Sequence, residues 1–233
     1  MLGKFTQAYT NSLMSAVNEK AQPRVRDDDP RVRRTRVAVL NAARGLFIQH
    51  GYAGVTMEEV AEAAGVAKRT LYNNYSDKAA LFATMVEHTV AYAESFAQEL
   101  NQTVFVGVTK ANVSTSLETL GVRLAQAILR IEVISLRRML IGESRDFPGI
   151  GADYFERAPG QVLQALATGF EALGRRRILR VRDPQSAATQ FAYLIAGSHL
   201  DRALMTGEVP AQSVIDATAR DGVTTFLARY GLT

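Results

Sequence analysis

Apolar residues recur every three or four positions along most of this chain, and no useful length alternates with the two-residue period of a strand. The stripe Val37, Leu40, Ala43 and Leu46/Phe47 predicts a first helix, with Asp29 as N-cap and Pro30 at its first position. A short helix is expected after Thr56, and a second from Ala67 to Tyr75. Ser76 is placed to cap a long helix over residues 76–100. Residues 101–111 read as a connection, followed by helices over 113–129 and 131–144, with a break at Phe147-Pro148-Gly149. A helix over 150–173 ends near Gly174, and another from Asp183-Pro184 ends before Gly207. A last helix runs from Pro210 to Gly231. The fold class is all-α.

The most informative stretch is residues 51–78. Thr56 and Glu59 have the spacing of a capping box, with Val55 and Val60 as its hydrophobic staple. Ala61 and Ala64 allow a close helix crossing, and Gly65 supplies a turn residue free of a Cβ penalty. In the helix that follows, Leu71 points inward while Lys68, Arg69, Thr70 and Asn73 project outward. Arg and Lys pair with guanine edges and Asn with adenine, which makes this a candidate recognition helix.

Residues 36–82 resemble the DNA-binding domain of the tetracycline-repressor (TetR) family of bacterial regulators. The matching pieces are Ala42-Ala43-Arg44-Gly45-Leu46-Phe47, Gly51-Tyr52, Thr56-Met57-Glu58-Glu59-Val60-Ala61, Ala64-Gly65-Val66, Thr70-Leu71-Tyr72 and Lys78-Ala79-Ala80-Leu81-Phe82. The resemblance implies a homodimer with a three-helix helix-turn-helix domain and a variable C-terminal helical domain for ligand binding and dimerisation. It also implies phosphate contacts from Thr56, Tyr72 and Lys78. Asn73-Asn74 stands where many relatives carry His or an aromatic, and Ala67 where Ser is frequent, so base preference does not transfer. The expected organisation is an extension over 1–29, the reading domain over 30–82, and the ligand-binding and dimerisation domain over 83–233.

Composition adds bounds. The 233 residues are 47% hydrophobic and 21% charged, which suits a folded chain with a sizeable core. There is no Cys, which excludes disulfides and thiolate metal sites, and no apolar run reaches the roughly 18 residues of a membrane span. A secretory signal pattern is absent, and the expected location is the cytoplasm. The net charge of +4 is too mild to argue DNA binding alone. Its placement says more: Arg24, Arg26, Arg31, Arg33, Arg34 and Arg36 cluster at the first helix, where they oppose the helix dipole unless phosphate offsets them. Arg33, Arg34 and Arg36 are therefore candidate phosphate contacts, against the plainer reading of a solvated basic segment. Phe5, Tyr9 and Leu13 suggest a short amphipathic helix within residues 1–22.

By the family resemblance, the central helices would enclose a pocket for a small-molecule effector. Apolar candidates are Leu117, Leu124, Ile128, Phe147, Tyr154, Phe155 and Phe170, and polar ones Arg123, Gln126, Gln164, Tyr193 and His199. Leu124, Ile128, Phe147, Tyr154, Phe170 and Tyr193 are the leading set. The last long helices would form the dimer interface through Phe191, Ile195, Val223, Phe226 and Leu227, although such stripes also serve as ordinary core. The three His residues lack metal-ligand spacing, and no P-loop, dinucleotide turn or nucleophile elbow appears, so no catalytic residue, metal or cofactor is expected. The expected function is a ligand-responsive repressor on an operator in double-stranded DNA. The alternative is a DNA-binding protein without an effector, acting structurally or through a protein partner.

Overall fold

The computed structural model describes residues 30–144 and 148–232. Among these residues the regular elements are all helical: α1 (Pro30–His50), α2 (Met57–Ala63), α3 (Lys68–Asn74), α4 (Lys78–Glu99), α5 (Val113–Ile128), α6 (Ile131–Gly142), α7 (Pro148–Phe155), α8 (Gln161–Arg175), α9 (Pro184–Ala196), α10 (His199–Thr206) and α11 (Gln212–Tyr230). π-helical turns over Leu100–Val104 and Glu156–Gly160 extend α4 and join α7 to α8. No described helix is long and apolar enough to cross a membrane. The expected extension over residues 1–29, with Arg24, Arg26 and the Asp29 cap, lies outside the described residues, as does Phe147.

Several expected elements differ in the structure, three of them for a local reason. Asp77, not Ser76, caps α4: its carboxylate accepts the Ala80 N–H at 2.7 Å, while the Ser76 hydroxyl donates to Asp77. The helix expected over 150–173 contains a π-helical turn around Pro159, which has no N–H for a regular ladder. The helix expected from 184 to before 207 divides at Gly197, whose φ of 56° and ψ of −151° suit only glycine and end α9. The last helix begins at Gln212, slightly after Pro210.

The chain divides into two compact units. One gathers the described residues up to Thr89 and those within 135–154; the other gathers Val90–Ile134 and the described residues from Phe155 onward. In the first unit, Phe47, Tyr52 and Phe82 form an aromatic cluster with ring centroids 5.2–6.0 Å apart. Val39, Val60 and Leu71 are buried in the same unit.

In the second unit α11 packs on α5 and α9, and α9 packs on α8. Their core is a run of rings, Phe105–Phe170–Phe191–Phe226–Tyr230, with neighbouring centroids 4.6–5.6 Å apart. Two glycines permit this packing. A Cβ on Gly169 would fall 2.2 Å from the Phe105 ring, and one on Gly222 would fall 2.5 Å from the Leu194 carbonyl oxygen. Such contacts are far inside van der Waals separation, so α9 and α11 cross at a distance that only glycine allows.

Candidate nucleic-acid interface and ligand groove

The reading head is built from the capping box upward. The Thr56 hydroxyl accepts the Glu59 N–H at 3.2 Å, and the Glu59 carboxylate accepts the Thr56 N–H at 2.7 Å. The bond from the Thr56 N–H, together with one donated by the Thr56 hydroxyl, holds the Glu59 carboxyl below its usual range. At its other end α2 closes in a Schellman motif: Gly65 sits at φ +65°, its N–H donates to Glu62, and the Val66 N–H donates to Ala61 at 3.0 Å. The chain therefore re-enters α3 at a fixed angle. Leu71 is fully buried, which turns Lys68, Arg69, Tyr72 and Asn73 outward and leaves Thr70 half-buried. The side chains of Lys68, Arg69 and Asn73 make no hydrogen bond or ion pair with the described residues. Tyr72 donates its hydroxyl to Glu58 at 3.2 Å, tying α3 to α2.

The candidate phosphate contacts divide. Arg33 and Arg34 are exposed on α1. Arg36 is half-buried and faces the Tyr75 hydroxyl, where its charge opposes the upward push of burial on that phenol. Lys78 has a different task from the phosphate contact implied by the resemblance. Its ammonium donates to the carbonyls of Tyr52 and Val55, both at 2.7 Å, and of Ala53 at 3.3 Å, and lies 4.5 Å from the Tyr52 ring centre. All three donors are thus directed at the loop that leads into α2. Desolvation lowers the Lys78 pKa, against the opposing pull of Glu143 and Glu59. Glu143 also accepts the Tyr52 N–H at 3.1 Å, so a carboxylate just beyond α6 helps hold this loop.

The five leading ligand candidates among the described residues are dispersed. Leu124 and Phe170 belong to the packed core of the second unit, and Ile128 packs half-buried against it. Tyr154 is buried in the first unit, and Tyr193 is 61% exposed. The second unit instead carries a groove of about 450 Å³ between the end of α4, α5 and the start of α11. Tyr92, Phe96, Glu99, Arg123, Gln126 and Arg130 line it. Arg123 donates to both Glu99 carboxylate oxygens at 2.7–2.8 Å, and the Arg130 guanidinium lies 4.7 Å from the Tyr92 ring centre. The pair pushes the Glu99 pKa down and that of Arg123 up. Sequence reasoning reached Arg123 and Gln126 but missed Tyr92, Glu99 and Arg130. Arg123 and Gln126 share one face of α5, three residues apart, whereas Arg130 lies between α5 and α6, where helical spacing gave no signal.

The dimer candidates are also placed differently. Phe191, Ile195, Val223 and Phe226 are 0% exposed within a single chain and fill its own core, leaving no area for a second copy. Leu227 is half-buried. The physical reason is the close α9–α11 crossing, which turns both stripes toward α5 and α8. The outer faces of α9 and α11 expose Thr189, Tyr193, Val214, Ala217 and Ala228 instead.

A fixed two-helix head with unpartnered cations along its second helix is a helix-turn-helix DNA-binding domain, carried here with a second helical unit. Comparison with known proteins agrees. The pattern of "Bacterial regulatory proteins, tetR family" matches residues 39–85, and that of "AefR-like transcriptional repressor, C-terminal domain" matches residues 115–232. The crystal structure of a TetR-family transcriptional regulator from Mesorhizobium loti MAFF303099 superposes with a TM-score of 0.70 at 26% identity, covering 88% of this chain and 100% of that one. The flavonoid-responsive regulator FrrA superposes at 0.58 and 26% identity, covering 85% and 97%. The uncharacterized HTH-type transcriptional regulator YdeS of Bacillus subtilis (strain 168) is 42% identical over 52 residues, which is 22% of this chain and 26% of YdeS. The chain therefore spans about a quarter of the length of this curated relative. The chain belongs to the TetR family of bacterial regulatory proteins and is a helix-turn-helix transcriptional regulator.

Proposed function

We propose that this regulator is a homodimeric cytoplasmic repressor that binds an operator through α3 and is released from it by a small molecule. The observation that carries the reading is the presentation of Lys68, Arg69 and Asn73 without protein partners on a helix fixed by a capping box and a Schellman turn. Two such heads about 34 Å apart would reach successive major grooves, which is why a dimer is proposed. The exposed faces of α9 and α11, including Tyr193 and Val214, are the surface proposed for the second copy.

The groove at Arg123 and Arg130 is the proposed effector site. It offers aromatic walls, two guanidinium groups and an amide network in which Gln126 and Gln212 both donate to Asp216. Support for a repressor comes from the name of the matching C-terminal family, and for a ligand from the name of FrrA. A ligand that prefers one of two shapes of the second unit changes DNA affinity by its difference in affinity for them. Coupling of about 1–3 kcal/mol gives a change of roughly 5–150-fold.

The test is fluorescence anisotropy on the DNA upstream of the protein's own gene, at two salt concentrations and against a scrambled duplex. Preferential binding that survives the higher salt, and is relieved by a compound whose effect Arg130→Ala abolishes, supports the proposal. Equal binding to both duplexes, vanishing with salt, rejects operator recognition on that DNA. Specific binding that no compound screened relieves counts against the ligand-responsive part.

A further inference from the structure

The connection after α8 reads Arg175-Arg176-Arg177-Ile178-Leu179-Arg180-Val181-Arg182. Nothing in the reading head or the groove uses it. Five of these eight residues are arginine and none is lysine, a composition suited to planar, bidentate recognition of phosphate.

This segment is held firmly. The Ile178 N–H donates to Leu173 at 2.9 Å and the Arg177 N–H to Gly174 at 3.0 Å, forming the same Schellman closure that ends α2. The Arg180 N–H donates to the Tyr230 carbonyl at 2.7 Å, and Leu179 makes an antiparallel bridge with Gly231. Ile178 and Leu179 are buried, and Val181 sits against Gly174. With these apolar residues turned in, Arg177, Arg180 and Arg182 are all exposed. In extended chain, positions 180 and 182 share one face about 7 Å apart.

The guanidinium groups of these three exposed arginines make no hydrogen bond or ion pair with the described residues. The carboxylates nearest in sequence are engaged elsewhere. Glu171 pairs with Arg175 at 3.6 Å, and Asp183 caps α9 through the Ser186 N–H and hydroxyl at 3.0 and 2.6 Å. Arg176 is engaged too, donating to the carbonyls of Phe105 and Val108. Arg177 occupies the left-handed position, at φ +53°, where α2 uses Gly65. The fold thus keeps an unneutralised cation where backbone conformation favours glycine.

We propose that Arg177, Arg180 and Arg182 form a second phosphate-binding surface, which takes the backbone of a duplex DNA segment other than the one α3 reads. Exposed like charges on a fixed backbone, their side chains without internal partners, are the electrostatic footprint of a polyanion site. A duplex is the favoured polyanion because the protein already works on DNA, where second segments are locally abundant. The surface would let one bound regulator capture another stretch of duplex without reading its sequence.

The experiment compares four full-length proteins on a random-sequence duplex across a salt series: wild type, K68A/R69A, R177Q/R180Q/R182Q, and the combination. The expected result is salt-dependent binding that persists in K68A/R69A and disappears in the combination, with a slope of log affinity on log salt of about −2 to −3 for three phosphates. A duplex tethered with wild-type protein should also capture a labelled second duplex, and R177Q/R180Q/R182Q should lose that capture. R180Q/R182Q leaves the left-handed residue untouched and should give most of the same loss at an unchanged melting temperature. Capture and slope equal to wild type in both arginine variants would overturn the proposal. So would an effect confined to binding of poly-glutamate or of anionic vesicles, which would assign the surface to an acidic protein or a membrane.

Discussion

Gly65 and Arg177 occupy the same place in the same helix-ending motif, with φ of +65° and +53°. At Gly65 the residue type suits the turn. At Arg177 a Cβ is held in a left-handed conformation at a cost of about 1 kcal/mol. Arg177→Gly should therefore stabilise the second unit by about 0.5–1 kcal/mol, after allowing for the greater freedom glycine has in the unfolded chain. In a chain of this size that is a rise of roughly 2–4 °C in melting temperature per kcal/mol, readable in a thermal melt. A fall would show that the Arg177 side chain contributes more to the fold than its backbone costs. Lys78 teaches the complementary point. Its type and position match a phosphate contact in the family, yet its donors face the carbonyls of Tyr52, Ala53 and Val55. Charge on a residue says that a partner is required, not which partner.

At the level of elements, the head was legible because its signals are short-range. Thr56 and Glu59 are three residues apart, Gly65 follows one helix and precedes the next, and Leu71 marks the inner side of α3. The π-helical turn at Pro159 and the break at Gly197 were less so, because apolar residues continue at helical spacing on both sides of each. The stripe Phe191, Ile195, Val223 and Phe226 shows a harder limit. Spacing says these faces are buried, but one's own core and a second copy are equally apolar. What decides is the α9–α11 crossing at Gly222, where a Cβ would meet the Leu194 carbonyl oxygen at 2.5 Å and the Ile195 nitrogen at 2.9 Å. Gly222→Ala should force the helices apart and lower stability by about 1–3 kcal/mol, the usual range for overpacking. Denaturant unfolding reads this directly, and a variant within about 0.5 kcal/mol of wild type would mean that the crossing yields easily.

Across the whole molecule, α7 enters the second compact unit only by its last residue, Phe155, whereas α4 and α6 each place several residues in both units. Either provides a covalent route from the groove, lined in part by α4, to the reading head. The route through α6 ends at a specific contact. Glu143 accepts the Tyr52 N–H at 3.1 Å and opposes the desolvation of Lys78, which in turn holds the loop before Thr56. Glu143→Gln retains an oxygen that can accept the Tyr52 N–H but removes the charge that favours the Lys78 ammonium. If α6 carries the signal, this variant should bind operator and effector each within a few-fold of wild type. The effector should nevertheless cause a smaller loss of operator affinity, because the difference between the two states is what the charge supports. The measurement is operator affinity with and without the releasing compound, in wild type and variant, and the quantity compared is the ratio of those ratios. A reduced ratio assigns coupling to the Glu143 contact. An unchanged ratio with intact binding at both sites removes that contact from the path and leaves α4 as the connection to test.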